Sequence, residues 1–478
     1  MTDNSISFDA ATAAAGTSAH SHDRRFYLAA WRWHFYAGLF VIPFLLILSV
    51  TGMMMMYIGY FDGRDGENIT VSVPLEATAL SVSRQGEMAV KAIPGGTIVE
   101  WLSPKTADSV SVFRVKAPDG IQTMVAVEPY SGGIVETWVR RDGWYDFADN
   151  IHSDLLLGDP GDRILEIAAG LAIVLLISGV YLWWPRGQRL RDALVPAFGQ
   201  SGRALVKSLH GVVGIWVSFL LLLFLLSGMS WTGVWGTKLV QAWSTFPAEK
   251  WDNVPLSDQT HASMNHGAMS DVPWALEQTL MPASGSQAGV IGIAPGVPVD
   301  IDSLSNLAKA AGFNARYRIA YPKGETGVWT INQDTMSADA EDPFSDRTVH
   351  VDRYTGRVLA NVGFADYSLA GKTMAVSIPL HMGLAGLWNL ILNTLVCLSV
   401  QVLCVTGILM WWSRRPSKTA LRFFAPQVPE NRPHWRGAMV LMLAVSMAFP
   451  LAGLTFLVVL TLDLLILSKV PGLRRVFA

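Results

Sequence analysis

Two kinds of histidine-led apolar segment each occur twice in the chain, and this duplication limits the fold more than any other feature. The first kind, WHFYAGLFVIPFLLILSVTGM, carries His34 and Gly52. It returns as LHGVVGIWVSFLLLLFLLSGM with His210 and Gly228, and in both copies the glycine follows the histidine by 18 residues. The second kind runs from His152 to SGVYLWWPRG and again from His381 to TGILMWWSRR, with Gly179 and Gly407 following at 27 and 26 residues. The apolar stretches reach the roughly 20 residues a helix needs to cross a bilayer. Four histidines entering four membrane segments in matched frames ask for a ligand.

Composition agrees with a membrane chain. Only 15% of the 478 residues are charged, against about 25% in an ordinary soluble domain, and the mean hydropathy is +0.33. The 36 basic and 38 acidic residues nearly cancel, which leaves no electrostatic footprint for nucleic acid. Several of the 18 tryptophans stand at segment ends, where an interfacial belt places them. Cys397 and Cys404 lie seven apart in one span, near one face of it; they read as packing residues and exclude a structural disulfide outside the membrane. Residues 1–23, polar and rich in Ala and Ser, read as a disordered cytoplasmic tail with no evident cleavable signal.

The expected fold class is a mostly α-helical integral membrane protein. It has two parallel helix–outer domain–helix repeats, small α+β outer domains, and a C-terminal hydrophobic helix or hairpin. Spans are expected at 24–58, 161–185, 207–233 and 379–412, with outer domains at 59–160 and 234–378 and cytoplasmic loops at 186–206 and 413–436. The last run, 437–468, contains Pro450 and reads either as one kinked, tilted helix or as a tight hairpin. Lys469, Arg474 and Arg475 favour the hairpin, and the lack of a polar turn favours the single helix.

Lysine and arginine placement sets the orientation. Arg24, Arg25 and Arg32 open the first span; Arg186, Arg189, Arg191 and Arg203 fill the first short loop; Arg414, Arg415, Lys418, Arg422, Arg432 and Arg436 follow the fourth span. These segments are expected in the cytoplasm, with the long loops facing the periplasm or outside. Acidic patches in those loops, Asp62, Asp65 and Glu67 in one and Asp334, Asp339, Glu341, Asp342 and Asp346 in the other, are compatible with the outer side.

The outer loops also repeat. VAVEPYSGGIV at 125–135 matches VHVDRYTGRVL at 349–359, each a strand, a turn led by Tyr130 or Tyr354, and a strand. SVSVFRVKAPDG and ARYRIAYPKGETGVWTINQ precede them as strand–turn–strand patterns, and IDSLSNLAKAAG reads as an amphipathic helix ending at Gly312. Each copy starts and ends inside, so the natural axis relating them runs along the membrane normal.

With that topology the axis relates His34 to His210 on the inner side and His152 to His381 on the outer side. Each pair is placed to close on one metal, and neutral imidazole is a proper axial ligand for haem iron. The expected cofactors are two bis-histidine haems (haem b). His152 stands apart from the evident span by ten residues, so the second helix is expected to begin earlier than hydropathy shows. Gly38, Gly211, Gly214, Gly383 and Gly386 follow the histidines closely and suit either helix packing or a flat macrocycle. Arg32 and Lys207 suit lipid phosphates or haem propionates.

Two haems across a bilayer would pass electrons outward. No dinucleotide or flavin motif is present and the cytoplasmic loops are short, so the donor is expected to be a quinol or a cytoplasmic reductase. In HASMNHGAM, His261, Met264, His266 and Met269 form a soft-metal patch in which copper competes with a plain linker. Of Met53 to Met56 at most two residues can line any one site. Trp144, Tyr145, Trp231 and Trp235 are candidates for a chelate site or for interfacial anchoring.

WHFYAGL, SLHGVVG with its SGM, SGVYLWWPR, TGILMWWSRR and the PYSG and DRYTG turns together resemble the PepSY-associated transmembrane family, over about residues 25–415. That resemblance implies haem ligation at His34, His152, His210 and His381 and PepSY-like outer domains. It also implies the activity of a ferric-siderophore reductase or iron-uptake factor, an oxidoreductase acting on a periplasmic ferric-siderophore or other metal complex. The outer domains keep a non-enzymatic binding or regulatory role open. A siderophore or metal permease is the other alternative, disfavoured by spans such as VSFLLLLFLL that hold almost nothing to coordinate a solute.

Overall fold

The computed structural model describes residues 6–75, 78–186, 189–241, 253–265, 272–414 and 436–462, with side chains from Phe26 onward except at 239, 436–438 and 460. Helix α1 (Ile6–Phe61) is followed by α2 (Val82–Ala92), strands β1 (Thr97–Leu102), β2 (Ser111–Lys116), β3 (Gln122–Val127) and β4 (Ile134–Val139), then α3 (Trp144–Asp154) and α4 (Asp159–Trp183). Next come α5 (Leu190–Ala193), α6 (Gly202–Met229), β5 (Leu256–Thr260), β6 (Leu280–Pro282), β7 (Val290–Ile291), α7 (Ile301–Ala310), β8 (Arg318–Ala320) and β9 (Val328–Gln333). Strands β10 (Arg347–Asp352) and β11 (Arg357–Gly363) and helices α8 (Leu369–Met382), α9 (Leu387–Trp412), α10 (Arg436–Ala448) and α11 (Pro450–Leu462) complete the described chain. It divides into two compact units, residues 1–50, 154–235 and 395–478 in one, and 51–153 and 236–394 in the other.

Four helices are long and apolar enough to cross a membrane: Phe26–Phe61, Asp159–Trp183, Gly202–Met229 and Leu387–Trp412. They correspond to the four expected spans, with shifted ends. The N-terminal expectation is corrected, and of the two readings open for the C-terminal run the hairpin is the one observed. Helical backbone begins at Ile6, inside the segment expected to be a disordered tail; its alanine-rich AATAAAG stretch has the composition for it. The C-terminal run is a hairpin of two 13-residue helices, α10 and α11. A Cβ on Gly453 would lie 2.9 Å from the Cα of Ser446, whereas residues seven apart in a straight helix are about 10 Å apart along the axis. Pro450, which cannot donate to the preceding turn, marks the reversal. Lys469, Arg474 and Arg475 lie outside the described residues.

In the first unit α4 packs on α6 and α11 on α4. Val41, Leu171, Val217, Leu221, Val400 and Phe456 lie in its core. Cys404 belongs to that core, and both cysteines are free and buried, as packing residues should be. Glu166, 2% exposed on α4, accepts the backbone N–H groups of Val234 and Trp235 at 3.1 Å each. A buried carboxylate in lipid needs such partners.

The second unit is built on one nine-stranded antiparallel sheet, in the order β4-β3-β2-β1-β8-β9-β10-β11-β7. The separate outer domains expected for the two loops are therefore joined edge to edge, through Glu100↔Ala320, Trp101↔Ile319 and Leu102↔Arg318 of β1 and β8. Pairing removes two exposed edges that separate modules would present to other chains. Strand alternation sorts the side chains. Phe113, Val115, Ile319, Ile331, Val349 and Val351 belong to a core completed by Ala89 of α2 and Leu304 and Ala308 of α7. The alternate positions carry a polar stripe: Arg114, Glu100, Arg318, Asn332, Thr330, Thr348 and His350, cross-strand neighbours by register. The matching turns are built alike. Glu128 accepts the N–H groups of Tyr130 and Ser131, and Asp352 those of Tyr354 and Thr355.

The acidic patches are largely not surface patches. Asp65, Asp334, Asp339 and Asp346 are all 5% exposed or less. Arg318 reaches Asp339 at 3.0 Å and Asp65 at 3.2 Å, and Arg316 reaches Glu67 at 3.1 Å. Buried carboxylates need such cations, so Asp65, Glu67 and Asp339 are structural partners of Arg316 and Arg318, while Asp346 accepts the N–H of Thr335 and Asp334 that of Ser337. Glu341 and Asp342 remain exposed.

Candidate functional site: two histidine pairs

The inner histidines meet. His34 on α1 and His210 on α6 have ring centroids 6.4 Å apart, with planes at 88°. Each Nδ1 lies 2.9 Å from a hydroxyl, Ser178 of α4 for His34 and Thr406 of α9 for His210. Those hydroxyl protons are already committed: Ser178 Oγ donates to the carbonyl of Val174 at 2.7 Å, and Thr406 Oγ1 to that of Val402 at 2.6 Å. Each hydroxyl oxygen is left to accept the Nδ1–H, and each ring keeps its lone pair on Nε2. A hydrogen bond on one ring nitrogen selects the other for metal.

Glycine makes room beside each ring. A Cβ on Gly179 would stand 3.2 Å from His34 Cε1, and one on Gly407 3.7 Å from His210 Cε1. The seat for each imidazole is thus a Ser–Gly or Thr–Gly dipeptide on a neighbouring helix, hydroxyl under Nδ1 and glycine beside Cε1.

The outer histidines meet in the same way. His152 and His381 have centroids 6.4 Å apart and planes at 86°. Thr51 Oγ1 lies 2.9 Å from His152 Nδ1, and a Cβ on Gly52 would lie 3.3 Å from His152 Cε1. Neither histidine is on a long span, which corrects the expectation that the second helix begins earlier and that the fourth starts at 379. His152 is on the short helix α3, separated from α4 by Leu155, Leu156 and Gly158 at positive φ. His381 is in the last turn of α8, which ends at Gly383 in the left-handed region, φ 81°. Asn389 and Asn393 of α9 donate to the carbonyl of Leu380 at 2.9 and 2.7 Å, so the terminal carbonyls that α8 leaves open are tied to the following helix.

The geometry fits a metal held between two imidazoles. A bond of about 2.0 Å on each side plus about 1.1 Å from ring nitrogen to ring centre gives centroids about 6.2 Å apart for a linear arrangement. Both pairs are close to that value.

Other expected residues divide. His261 and Met264 share a one-turn helix, whereas His266 and Met269 lie outside the described residues. His261 Nε2 instead faces His350 Nε2 at 2.9 Å. Met56 is 7% exposed and meets Gly383, while Met54 is 36% exposed, so the Met53–Met56 run lines no single site. Tyr145 is buried under Arg64, and Trp235 Nε1 donates to the carbonyl of Ala448 at 2.8 Å; Trp144 and Trp231 are exposed. Arg32 stacks on Tyr36, and Arg414 on Trp31 and Phe35. The sheet's polar stripe, which sequence reading missed, lines a cavity of about 80 Å³ through Glu100, Arg114, Arg318, Thr330, Asn332 and Thr348, joined by Lys323. Burial lowers the pKa of the Lys323 amine there, reinforced by the Arg114 cation.

Residues 31–414 match the family model described as PepSY-associated TM region, a stretch that contains both histidine pairs. No match to the chain was found among curated proteins.

Proposed function

The chain belongs to the PepSY-associated TM region family, and from that premise we propose that it is a transmembrane di-haem oxidoreductase. In this reading a quinol or a cytoplasmic reductase supplies electrons, and the acceptor is a periplasmic ferric-siderophore or other ferric complex. The observation that carries the proposal is the pair of equal histidine gaps, 6.4 Å with near-perpendicular rings in both. Two unrelated packing contacts have no reason to share that separation.

Haem iron, when bound, supplies a one-electron carrier whose potential depends on its axial ligands and their hydrogen bonds. The protein's own part is orientation and tuning. Ser178 and Thr406 accept from Nδ1 of His34 and His210, so each of these rings presents Nε2 without needing a local proton transfer, and Thr51 Oγ1 meets Nδ1 of His152 at 2.9 Å. A hydroxyl is a weaker acceptor than a carboxylate, so these rings stay neutral imidazoles rather than gaining imidazolate character. In this reading the basic segments favour the donor side for His34 and His210, and His152 and His381 serve the outer side.

The test is a visible spectrum with a pyridine haemochrome assay on the purified full chain. The expected result is two haem b per chain with a low-spin bis-histidine spectrum. His34→Ala and His210→Ala should each leave one. A colourless protein, or two haems retained in both variants, would sink the reading.

A further inference from the structure

We infer that the cavity over the seam of the joined sheet binds a small organic carboxylate, its anionic end held at Lys323 beside Arg114 and its apolar body against Met264, Met281 and Val272. The cavity lies where the two modules meet. Glu100 of β1 and Arg318 of β8 line it, together with Arg114 of β2 and Thr330 of β9. Val99 and Tyr321 line it as well, and across the seam the Tyr321 N–H donates to the Val99 carbonyl at 3.0 Å. None of the lining residues belongs to either histidine pair, so the inference stands apart from the haem reading.

Charge decides the kind of ligand. Arg318 is answered by Asp339 at 3.0 Å and Asp65 at 3.2 Å, and Arg114 by Glu100 at 3.3 Å. Lys323 is left over: among the described residues its amine has neither a hydrogen bond nor an ion pair. It is exposed as a residue yet lines the cavity, which places it at the mouth. The field there is net cationic, since Arg114 and Lys116 of β2 act on the amine against the single carboxylate of Glu100. Burial, reinforced by those two cations, lowers the pKa of the amine. The empty site therefore disfavours the ammonium, and a bound anion would favour it.

Size and lining decide the rest. A water needs about 10–15 Å³ of such space, so the cavity of about 80 Å³ takes a ligand of about five to eight non-hydrogen atoms. Met264, Met281, Val272 and Val328 give it apolar surface beside the polar stripe, the mixture that small-molecule sites use to combine affinity with orientation. Sulfate or phosphate would leave that surface wet and bring a second charge for which the lining has no spare cation. A branched aliphatic carboxylate carries one charge and covers the apolar side.

Purified full-length protein in a non-ionic detergent is dialysed to equilibrium against radiolabelled isobutyrate, with detergent alone as the blank. The expected result is saturable binding of one isobutyrate per chain. Unlabelled isobutyramide, the uncharged isostere, should compete at least tenfold less well, and acetate, which lacks the branched body, at least fivefold less well. Lys323→Met should weaken binding at least tenfold, while Lys323→Arg, which keeps the charge, should change it less than threefold. An unchanged Tm in both variants checks that the fold is kept. The inference is overturned by a lack of saturable binding to the unaltered chain, by equal competition from the amide or from acetate, or by binding that survives Lys323→Met. Displacement by sulfate at equal concentration makes the cavity a site for inorganic anions and overturns it as well.

Discussion

Thr406 Oγ1 accepts the Nδ1 proton of His210 at 2.9 Å while donating its own proton to Val402, four residues back on the same helix. A threonine that bonds back to its own helix is normally a local device; here it leaves one oxygen lone pair pointing at a histidine 196 residues away. Thr406→Val keeps the shape and removes the acceptor. It should lower haem affinity at the inner pair by about 10- to 100-fold, and Thr406→Ser should restore it. Haem stoichiometry under competition with apomyoglobin measures this; equal retention in Val and Ser variants would remove the hydroxyl from the account.

The glycines grade the next prediction. At Gly179 a Cβ would meet His34 Cε1 at 3.2 Å, and at Gly407 it would meet His210 Cε1 at 3.7 Å, an ordinary contact. Gly407→Ala should therefore be tolerated, while Gly179→Ala should broaden or shift the inner haem spectrum and Gly179→Leu should abolish that haem. Spectra of the three variants, normalised to protein, decide. Equal loss in all three would mean that helix packing, not the ring, sets the requirement.

The outer pair can be separated from the inner one. His152 is seated by Thr51 and Gly52 and faces His381. His152→Ala should leave one haem per chain that is still reducible by dithionite, while its reoxidation by an added ferric chelate slows at least tenfold. Stopped-flow absorbance at the haem band reads this, and an unchanged reoxidation rate would place electron exit elsewhere.

Much of this arrangement was legible in the sequence because period and spacing carry it. The membrane helices follow from apolar length, and the pairing of His34 with His210 and of His152 with His381 follows from matched frames. What escaped has physical reasons. Hydropathy sees only the long apolar helices, so the breaks at Leu155–Gly158 and at Gly383, which set the outer histidines on their own short helices, do not show. The Ser–Gly and Thr–Gly dipeptides at 178–179, 406–407, 51–52 and 227–228 were visible in the text of the chain, yet only their glycines served as markers of register. His350 reads as one polar position in an alternating strand until a partner 89 residues away is brought against it. Burial of Asp65 and Asp339 depends on the joining of two modules into one sheet, which no local pattern encodes.

Asp346 gives the sheet unit a pH dependence. Burial, then the neighbouring Asp334 carboxylate, raise its pKa to about 8 from an ordinary value near 4. The folded state binds this proton more tightly than the unfolded chain, so the stabilisation is complete below about pH 4 and is lost as pH rises towards 8. Asp346→Asn keeps an oxygen for the Thr335 N–H, which the aspartate accepts at 3.0 Å, and cannot ionise. Its Tm should fall less than that of the unaltered chain between pH 6 and pH 9. Parallel loss of Tm in both proteins would show that Asp346 is ionised throughout that range.

Arg318 holds the junction between β1 and β8, and its removal tests the joined sheet. It is 3% exposed, with Asp339 at 3.0 Å, Asp65 at 3.2 Å and the carbonyl of Ser337 at 2.8 Å. Arg318→Leu leaves buried Asp339 without the cation at 3.0 Å and Asp65 with Arg140 at 3.5 Å, and should destabilise the outer unit by about 3–5 kcal/mol. Removing one stranded acid as well, in Arg318→Leu with Asp339→Leu, should recover a measurable part of that loss, because an apolar pair of similar volume is often no worse than a buried ion pair. Arg318→Lys should not rescue, since a single ammonium cannot reach two carboxylates and a carbonyl in the fork geometry of a guanidinium. Chemical unfolding followed by tryptophan fluorescence, with Trp101 on the joined strand as a buried reporter, gives the three values. A double variant no more stable than Arg318→Leu would mean that Arg318 acts through packing of its alkyl stem, and the charge argument for the junction would fall.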